Sequence, residues 1–390
     1  VRKPGKPDKS GNPRKLGKLG KLGKLEKRTS TVVLGRREDC ELGSNLLRRG
    51  GFPKKRRLSR LGGSAAHRHS ERLEEETMAT YLVTGGAGFI GSSLAEKLLE
   101  GGDTVRVIDD FSTGRRQNLA NLRGKLEVIE GTICDAETVK RAVKGVEVIF
   151  HQAAIPSVAR SVDNPAATMM VSVQGTTILL EAARHEKVRR VVYAASSSAY
   201  GNTPTLPKVE TMAAAPLSPY AVAKLAGELL MRVYAHIHGL ETISLRYFNV
   251  FGPKQDPTSH YAAVIPNFIT AALTGKRPVV HGDGEQTRDF CFIDNTVGAN
   301  ILAATTSSKL TGQMVNIACG DRTSLNQLLG LIAEETNTKL EADHKPTRAG
   351  DVRDSLADID AARKLIGYEP KVKIREGLRR TIGAFREFTK

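Results

Sequence analysis

The 390-residue chain is 40% hydrophobic and carries a net charge of +17, with 59 basic against 42 acidic residues. That length accommodates one large domain or two modest ones with a buried core, and no apolar run approaches the ~18 residues of a transmembrane helix. Four cysteines (Cys40, Cys134, Cys291 and Cys319) lie far apart in sequence without a CxxC pair, which argues against a disulfide framework or zinc site and for free thiols in the cytoplasm.

Most of the charge belongs to residues 1–77, which hold 22 basic and 9 acidic residues. A Gly-Lys-Leu repeat (16–25) and Lys54-Lys55-Arg56-Arg57 dominate this stretch, which is poor in aromatics and lacks helical or strand periodicity. Such a segment is expected to stay disordered. One reading is an arm for nucleic-acid or membrane phosphates. Another is a targeting peptide, against which Glu71, Glu74, Glu75 and Glu76 speak. The favoured reading is a plain leader, or sequence upstream of a true start at Met78, which directly precedes the first core strand. Nucleic acid is thus expected as a partner only through this tail. His67 and His69 have no partner cluster, and no metal is expected.

From Ala79 onward, short β-branched runs alternate with amphipathic segments, the pattern of βαβ units. Residues 81–84 predict a first strand, 89–99 a helix and 104–109 a second strand. Further strands are expected at 126–130, 147–150, 189–195 and 241–246, with long helices at 164–187 and 219–238. The class is α/β: a Rossmann-type doubly wound parallel sheet over 78–247. After Tyr247, Gly/Pro-rich loops and shorter helices predict a smaller C-terminal substrate-binding α/β lobe over 248–390, to which loop 202–217 contributes. Ligands of open α/β sheets sit in the crevice at the strand C-terminal ends.

The turn Thr84-Gly85-Gly86-Ala87-Gly88-Phe89-Ile90-Gly91 joins the first strand to the first helix, and Gly86, Gly88 and Gly91 satisfy G-x-G-x-x-G. Glycines let the backbone approach a pyrophosphate, and the helix N-terminus offers unpaired N–H donors. Asp109 ends the next strand, where a carboxylate meets the adenosine ribose and repels a 2′-phosphate, so the expected cofactor is NAD rather than NADP.

Two further segments carry chemistry. Ser196, Ser197 and Ser198 follow an apolar strand, at the C-terminal edge of the sheet. Tyr220 and Lys224 stand four apart near the start of a helix and project from one face. A phenol titrating near ~10 is a poor base at neutral pH. A neighbouring ammonium and a cationic nicotinamide ring are expected to lower it.

With these motifs the chain resembles the extended short-chain dehydrogenase/reductases, and within them the UDP-hexose 4-epimerases, over about residues 79–388. The resemblance rests on TGGAGFIG, DDFSTG (109–114), HQAA (151–154), SSSAYG, SPYAVAK, RYFNVFGPKQDP (246–257), GDGEQTRDFCFIDN (282–295) and RAGDVRDSLAD (348–358). The nearest likeness is to epimerases of UDP-N-acetylglucosamine and its uronic acid. The resemblance implies Tyr220 as base, Lys224 on the nicotinamide ribose and Ser196 on the sugar's 4-oxygen. It places Gly85, Gly88, Phe89, Ile90, Gly91, Asp109, Ile133, Ala153, Tyr220 and Lys224 around NAD. The implied reaction oxidises C4, turns the 4-keto sugar about its pyrophosphate, and returns the hydride to the opposite face. A homodimer built on helices 164–187 and 219–238 is also implied.

Sugar-nucleotide dehydratases carry Asp and Glu where this chain has Ser197 and Ser198, and hydroxyls are poor acids and bases for eliminating water. The serines are expected either to bond the sugar or to serve only as turn residues. By resemblance Arg288 and Arg348 grip the diphosphate, assisted by Asn249, and Ser355 replaces a bulky tyrosine of glucose-restricted members, leaving space for a 2-acetamido group. Two positions depart from the family pattern: Thr132 stands where relatives place an Asp on the adenine, and Ser172 where they often have Asn. Alternatives kept open are a UDP-glucose or UDP-glucuronate 4-epimerase, a nucleotide-sugar 4-keto reductase, and a non-enzymatic NAD-binding scaffold with an RNA-binding tail.

Overall fold

The computed structural model describes residues 79–256, 263–347 and 352–388. The first half alternates strand and helix: β1 (Thr80–Thr84), α1 (Phe89–Glu100), β2 (Thr104–Asp109), the short α2 (Gln117–Ala120), β3 (Lys125–Glu130), α3 (Ala136–Val143) and β4 (Val148–His151). Then come α4 (Val158–Asp163), α5 (Pro165–Met169), a π-helical turn (Met170–Gly175), α6 (Thr176–His185), β5 (Arg190–Ser196), a 3₁₀ turn (Ser197–Tyr200), α7 (Pro219–His238) and β6 (Glu241–Tyr247). The remainder runs β7 (Asn249–Phe251), α8 (Val264–Thr274), β8 (Val279–His281), β9 (Thr287–Arg288), β10 (Phe290–Phe292), α9 (Ile293–Thr305) and β11 (Gln313–Ile317). It ends with β12 (Thr323–Ser324), α10 (Leu325–Thr336), β13 (Asp343–Lys345), α11 (Asp360–Ile366) and α12 (Ile374–Phe388).

Seven strands form one sheet in the order β3-β2-β1-β4-β5-β6-β11, all parallel. Strand order reverses between β1 and β4, and the crevice of a doubly wound sheet opens at that point. Helices cover both faces, so central strands are apolar throughout: β5 is buried at every position but its last. Edge strand β3 is exposed or partly exposed along its whole length. Alternate side chains feed two cores. Leu82, Ile149, Val191 and Tyr193 pack with Val139, Leu180 and Met231 from α3, α6 and α7. Val83, Phe150, Val192 and Leu245 point the other way, toward Leu94 of α1 and the C-terminal lobe.

Helix α7 falls where its signals predict. Ser218 caps it by accepting from Ala221 N (3.2 Å), Pro219 occupies its first turn, and Gly239 ends it in the left-handed region. The helix expected over 164–187 differs: it is α5, a π turn and α6 in succession. The π turn brings Gly175 against Ile133, where a Cβ would lie 2.8 Å from Ile133 Cδ1, so the helix packs more closely than a side chain there would allow. The seventh strand, β11, comes from residues beyond 247 and pairs with β6 from Gln313↔Ile243 to Ile317↔Tyr247. Around it the rest of the chain builds small paired ribbons, β7 with β10, β9 with β12 and β8 with β13.

Candidate active site

The β1–α1 turn is built from close backbone approaches. Gly85 has φ +67° and donates to Ile108 O (2.8 Å), and a Cβ there would lie 2.8 Å from both Cα and N of Ala153. A Cβ on Gly91 would strike the Gly85 carbonyl oxygen. Gly88 caps α1 without a side-chain partner, so the N–H groups at Phe89 and Ile90 have no side-chain acceptor there. Asp109 is 8% exposed. Its Oδ2 accepts from Ala87 N and its Oδ1 from Phe111 N, each at 2.8 Å. Burial raises this carboxyl above its ordinary value while the two N–H donors pull it back, and each oxygen keeps a free acceptor site. A narrow glycine cradle, open helix donors and a fixed carboxylate at the end of β2 fit an adenine dinucleotide. Ile133 is buried beside Gly175, and Thr132 Oγ1 already accepts from Cys134 N (3.3 Å).

Behind the cradle runs a directed hydrogen-bond chain. Thr176 donates its hydroxyl to Ser172 O (2.7 Å), so its oxygen accepts from His151 Nε2 (2.9 Å). His151 is fully buried and its pKa is pushed down to about 3, first by burial and then by the charge of Lys224. The neutral ring therefore accepts at Nδ1 from the Thr84 hydroxyl (2.8 Å), and Thr84 Oγ1 accepts from Ala153 N (3.2 Å). The chain locks the 151–153 segment onto β1. His151 is consequently a structural residue, as its fully buried ring requires.

Ser196 ends β5, and its hydroxyl oxygen accepts from Ser198 N (3.2 Å) and Ser198 Oγ (2.8 Å). With its acceptor sites taken, its own proton is left to donate, and here it goes to the Tyr220 phenol oxygen. Tyr220 and Lys224 come from the first two turns of α7. Lys224 is 4% exposed, donates to Ala194 O (2.7 Å), and stands 5.1 Å from the centre of the Tyr193 ring. Burial pulls its ammonium down to about 8, opposed by Glu228 one turn along the helix. In the protein alone, burial raises the Tyr220 phenol and the hydrogen bond with Ser196 offsets this only in part.

The residues expected on the substrate side converge on β9. Arg288 Nη1 donates to Thr287 O (2.9 Å) and Arg353 O (2.8 Å), Ser355 N donates to Thr287 O (3.1 Å), and Asn249 Nδ2 donates to Asp289 O (3.1 Å). Ser197 is half-buried at the start of the 3₁₀ turn. Arg348 lies outside the described residues.

The sequence profile of the NAD dependent epimerase/dehydratase family matches residues 81–318. The chain belongs to this family. A UDP-glucose 4-epimerase of Mycolicibacterium smegmatis is 41% identical over 309 residues, covering 78% of this chain and 98% of the relative. Among solved structures, the UDP-N-acetylglucosamine 4-epimerase of Methanobrevibacter ruminantium, in complex with UDP-N-acetylmuramic acid, superposes with a TM-score of 0.76 at 36% identity, covering 80% of this chain and 99% of that one. A mutant UDP-glucuronic acid 4-epimerase of Bacillus cereus, in complex with NAD and a fluorinated UDP-glucuronic acid, gives a TM-score of 0.75 at 29% identity, covering 79% and 99%. The family's cofactor is NAD, in accord with the cradle and Asp109.

Three carboxylates behind the site, the buried Glu228 and Asp289 and the partly buried Asp354, were given no role by the sequence reading, although Asp289 and Asp354 lie inside quoted motifs. Glu228 holds Arg246 through two bonds (2.8 and 2.7 Å), both side chains almost wholly buried. Asp354 Oδ1 accepts from Thr287 N (3.0 Å) and the Thr287 hydroxyl (2.7 Å), and Asp289 has no exposed surface. Glu228 is visible in the sequence as the next turn after Tyr220 and Lys224. Asp289 and Asp354 announce themselves only as acidic residues beside arginines.

Proposed function

We propose that this enzyme inverts the C4 hydroxyl of a UDP-sugar, most favourably UDP-N-acetylglucosamine/UDP-N-acetylgalactosamine or the corresponding uronic acids. The observation that carries this reading is the set Ser196, Tyr220 and Lys224 gathered at the end of β5, beside serines 197 and 198 instead of the carboxylates that dehydration needs. When bound, NAD would supply the acceptor and later donor of the C4 hydride. Gly85, Gly88, Phe89, Ile90 and Gly91 would hold its pyrophosphate, Asp109 its adenosine ribose, and Ile133 and Ala153 would line its path, while Lys224 would orient the nicotinamide end.

Tyr220 takes the proton of the 4-hydroxyl and later gives it back. Ser196, its own oxygen occupied by Ser198, turns its proton from the Tyr220 phenol to the sugar's 4-oxygen when substrate is bound. Burial raises the Tyr220 phenol, and the Lys224 ammonium on the same helix face, together with an oxidised nicotinamide ring, would favour its ionised form for proton transfer. Arg288 and Arg348 hold the diphosphate with Asn249, and Ser197 and Ser198 bond the sugar. Held firmly only at its nucleotide, the 4-keto sugar releases the serines, turns and presents its other face. Ser355, small and half-buried, leaves room for the 2-acetamido group.

The enzyme works as a homodimer in the cytoplasm, joined through α7 as expected and, in place of most of the expected segment 164–187, through α4. Of ten exposed large apolar side chains among the described residues, eight lie on α4, the π turn, α7 and the loop before it, including Val158, Val162, Val222, Leu229, Val233 and Ile237. A contiguous apolar face of this kind marks an association surface. Among the described residues no helix is long and apolar enough to cross a membrane.

The test is incubation of purified protein with UDP-N-acetylglucosamine and no added NAD, with product followed by NMR and nicotinamide measured after denaturation. UDP-N-acetylgalactosamine should form, and Tyr220→Phe should abolish it without releasing the cofactor. Conversion of UDP-glucose alone would overturn the Ser355 assignment. No conversion of any UDP-hexose or uronic acid would overturn the epimerase reading.

A further inference from the structure

Asp289 follows Arg288 directly and has no exposed surface. Its carboxylate accepts three backbone N–H groups: Cys319 (2.8 Å) on Oδ1, and Gly320 (3.1 Å) and Ala357 (3.2 Å) on Oδ2. Its main-chain carbonyl accepts from Asn249 Nδ2 (3.1 Å). Residues 319–320 form the turn leaving β11, at the edge of the main sheet. Ala357 lies two residues after Ser355, and Asn249 begins β7. The buried anion therefore joins three stretches of chain and the carbonyl of the same residue ties in a fourth, and three of the four carry a residue assigned above to the substrate. Asp354 works alongside it by fixing Thr287, whose carbonyl accepts from both Ser355 N and Arg288 Nη1.

We infer that Asp289 is a positioning residue for substrate binding: its carboxylate never touches the UDP-sugar but sets Arg288, Asn249 and Ser355 in register as one unit. The inference rests on the reading of those three residues as the diphosphate and sugar subsite. A carboxylate is the right group for this task. Three N–H donors converging on two oxygens need an acceptor at every position, and a protonated carboxyl turns one oxygen into a donor facing a donor.

A pH signature follows. Burial and the neighbouring Asp321 carboxylate raise Asp289 to about 6, against the pull of its three N–H partners. The other titratable groups facing it are the Cys319 thiol, in the turn that donates to it, and Tyr368 from the segment after α11; Cys291 of β10 lies against Cys319, and Lys373 faces that thiol from just before α12. Substrate affinity should therefore be full above pH 7 and fall as pH drops through 6. If only the ionised form is competent, apparent affinity scales with its fraction and is about tenfold weaker at pH 5 than at pH 7.5.

The experiment measures KM, kcat and bound nicotinamide for the holoenzyme across pH 5–8 with UDP-N-acetylglucosamine, whose diphosphate diester does not titrate in that range. The wild type should show KM rising about tenfold toward pH 5. Asp289→Asn keeps the shape but offers an amide where N–H groups already point. It should raise KM about tenfold at pH 7.5 and lose the acid limb, with nicotinamide content unchanged. A merely structural role would shift stability and leave the limb in place. A folded Asp289→Asn protein with wild-type KM and an intact limb overturns the inference.

Calorimetry of wild-type binding in two buffers of different ionisation enthalpy keeps the test open if the variant does not fold. About half a proton should be released per UDP-sugar bound at pH 6, and none at pH 8. Zero release at both overturns the inference. Arg288→Ala separates the two layers. If it leaves KM unchanged, the subsite reading fails. If it raises KM while Asp289→Asn does not, Asp289 alone is excluded.

Discussion

Replacing Lys224 with methionine should inactivate the enzyme and stabilise its cofactor-free form. Lys224 is 4% exposed, and burial holds its ammonium at about 8 against an ordinary 10.5. At 1.36 kcal/mol per pH unit, the folded protein carries a penalty of about 3 kcal/mol at pH 7 for keeping that charge. Methionine fills the same channel without charge and forfeits the bond to Ala194 O, which contributes about 1–1.5 kcal/mol net. The variant should therefore be about 1–2 kcal/mol more stable at pH 7. The sign of the pH dependence is fixed. Between pH 8 and 10.5 the unfolded wild type binds a proton that the folded protein does not, so wild-type stability rises with pH there. The penalty is fully present below pH 8 and gone above 10.5. Urea unfolding of nicotinamide-free protein at pH 7, 8, 9 and 10 should show the advantage of the variant shrinking steadily and then reversing. A Lys224→Met protein less stable at pH 7, with a gap independent of pH, would refute the picture of a strained buried ammonium.

Gly91→Ala places a methyl on the Gly85 carbonyl oxygen and 2.8 Å from Gly86 Cα. Relief requires the cradle to open, at about 1–3 kcal/mol, and the protein should emerge from desalting nearly free of nicotinamide. Glu228→Gln breaks the buried pair with Arg246 and leaves a guanidinium uncompensated, which should lower unfolding free energy by about 3–5 kcal/mol in denaturant titration. Asp109→Ala removes the acceptor that holds Ala87 and Phe111 N–H. NAD should bind more weakly, and competition binding should show the preference over NADP narrowed.

Six strands and the whole of α7 were legible because their signals are local. Strand β5 is an unbroken apolar run, and α7 carries Ser218, Pro219 and Gly239 at its ends. Strand β11 was not, since a five-residue strand reads as such only beside β6, about 70 residues upstream in the chain. The π turn escaped for a related reason: Gly175 marks it only once Ile133 is packed opposite. The same division runs through the site. Tyr220 and Lys224 are four apart on one helix and can be placed together by spacing alone. The partners of Asp289 are main-chain N–H groups at positions 319, 320 and 357, which any residue type supplies, so no side-chain pattern records them.

Strand β11 also limits how the enzyme can move. The chain leaves the main sheet after β6, builds β7 to α9, and returns to lay β11 along β6 before completing the remaining wall. The two lobes are sewn together by that return stitch and cannot swing apart on one connecting strand without tearing a parallel seam five residues long. A clamshell opening of the kind used by two-lobed binding proteins is thereby denied to this fold. The half-turn that epimerisation demands must then be made by the small molecule, inside walls that hold still.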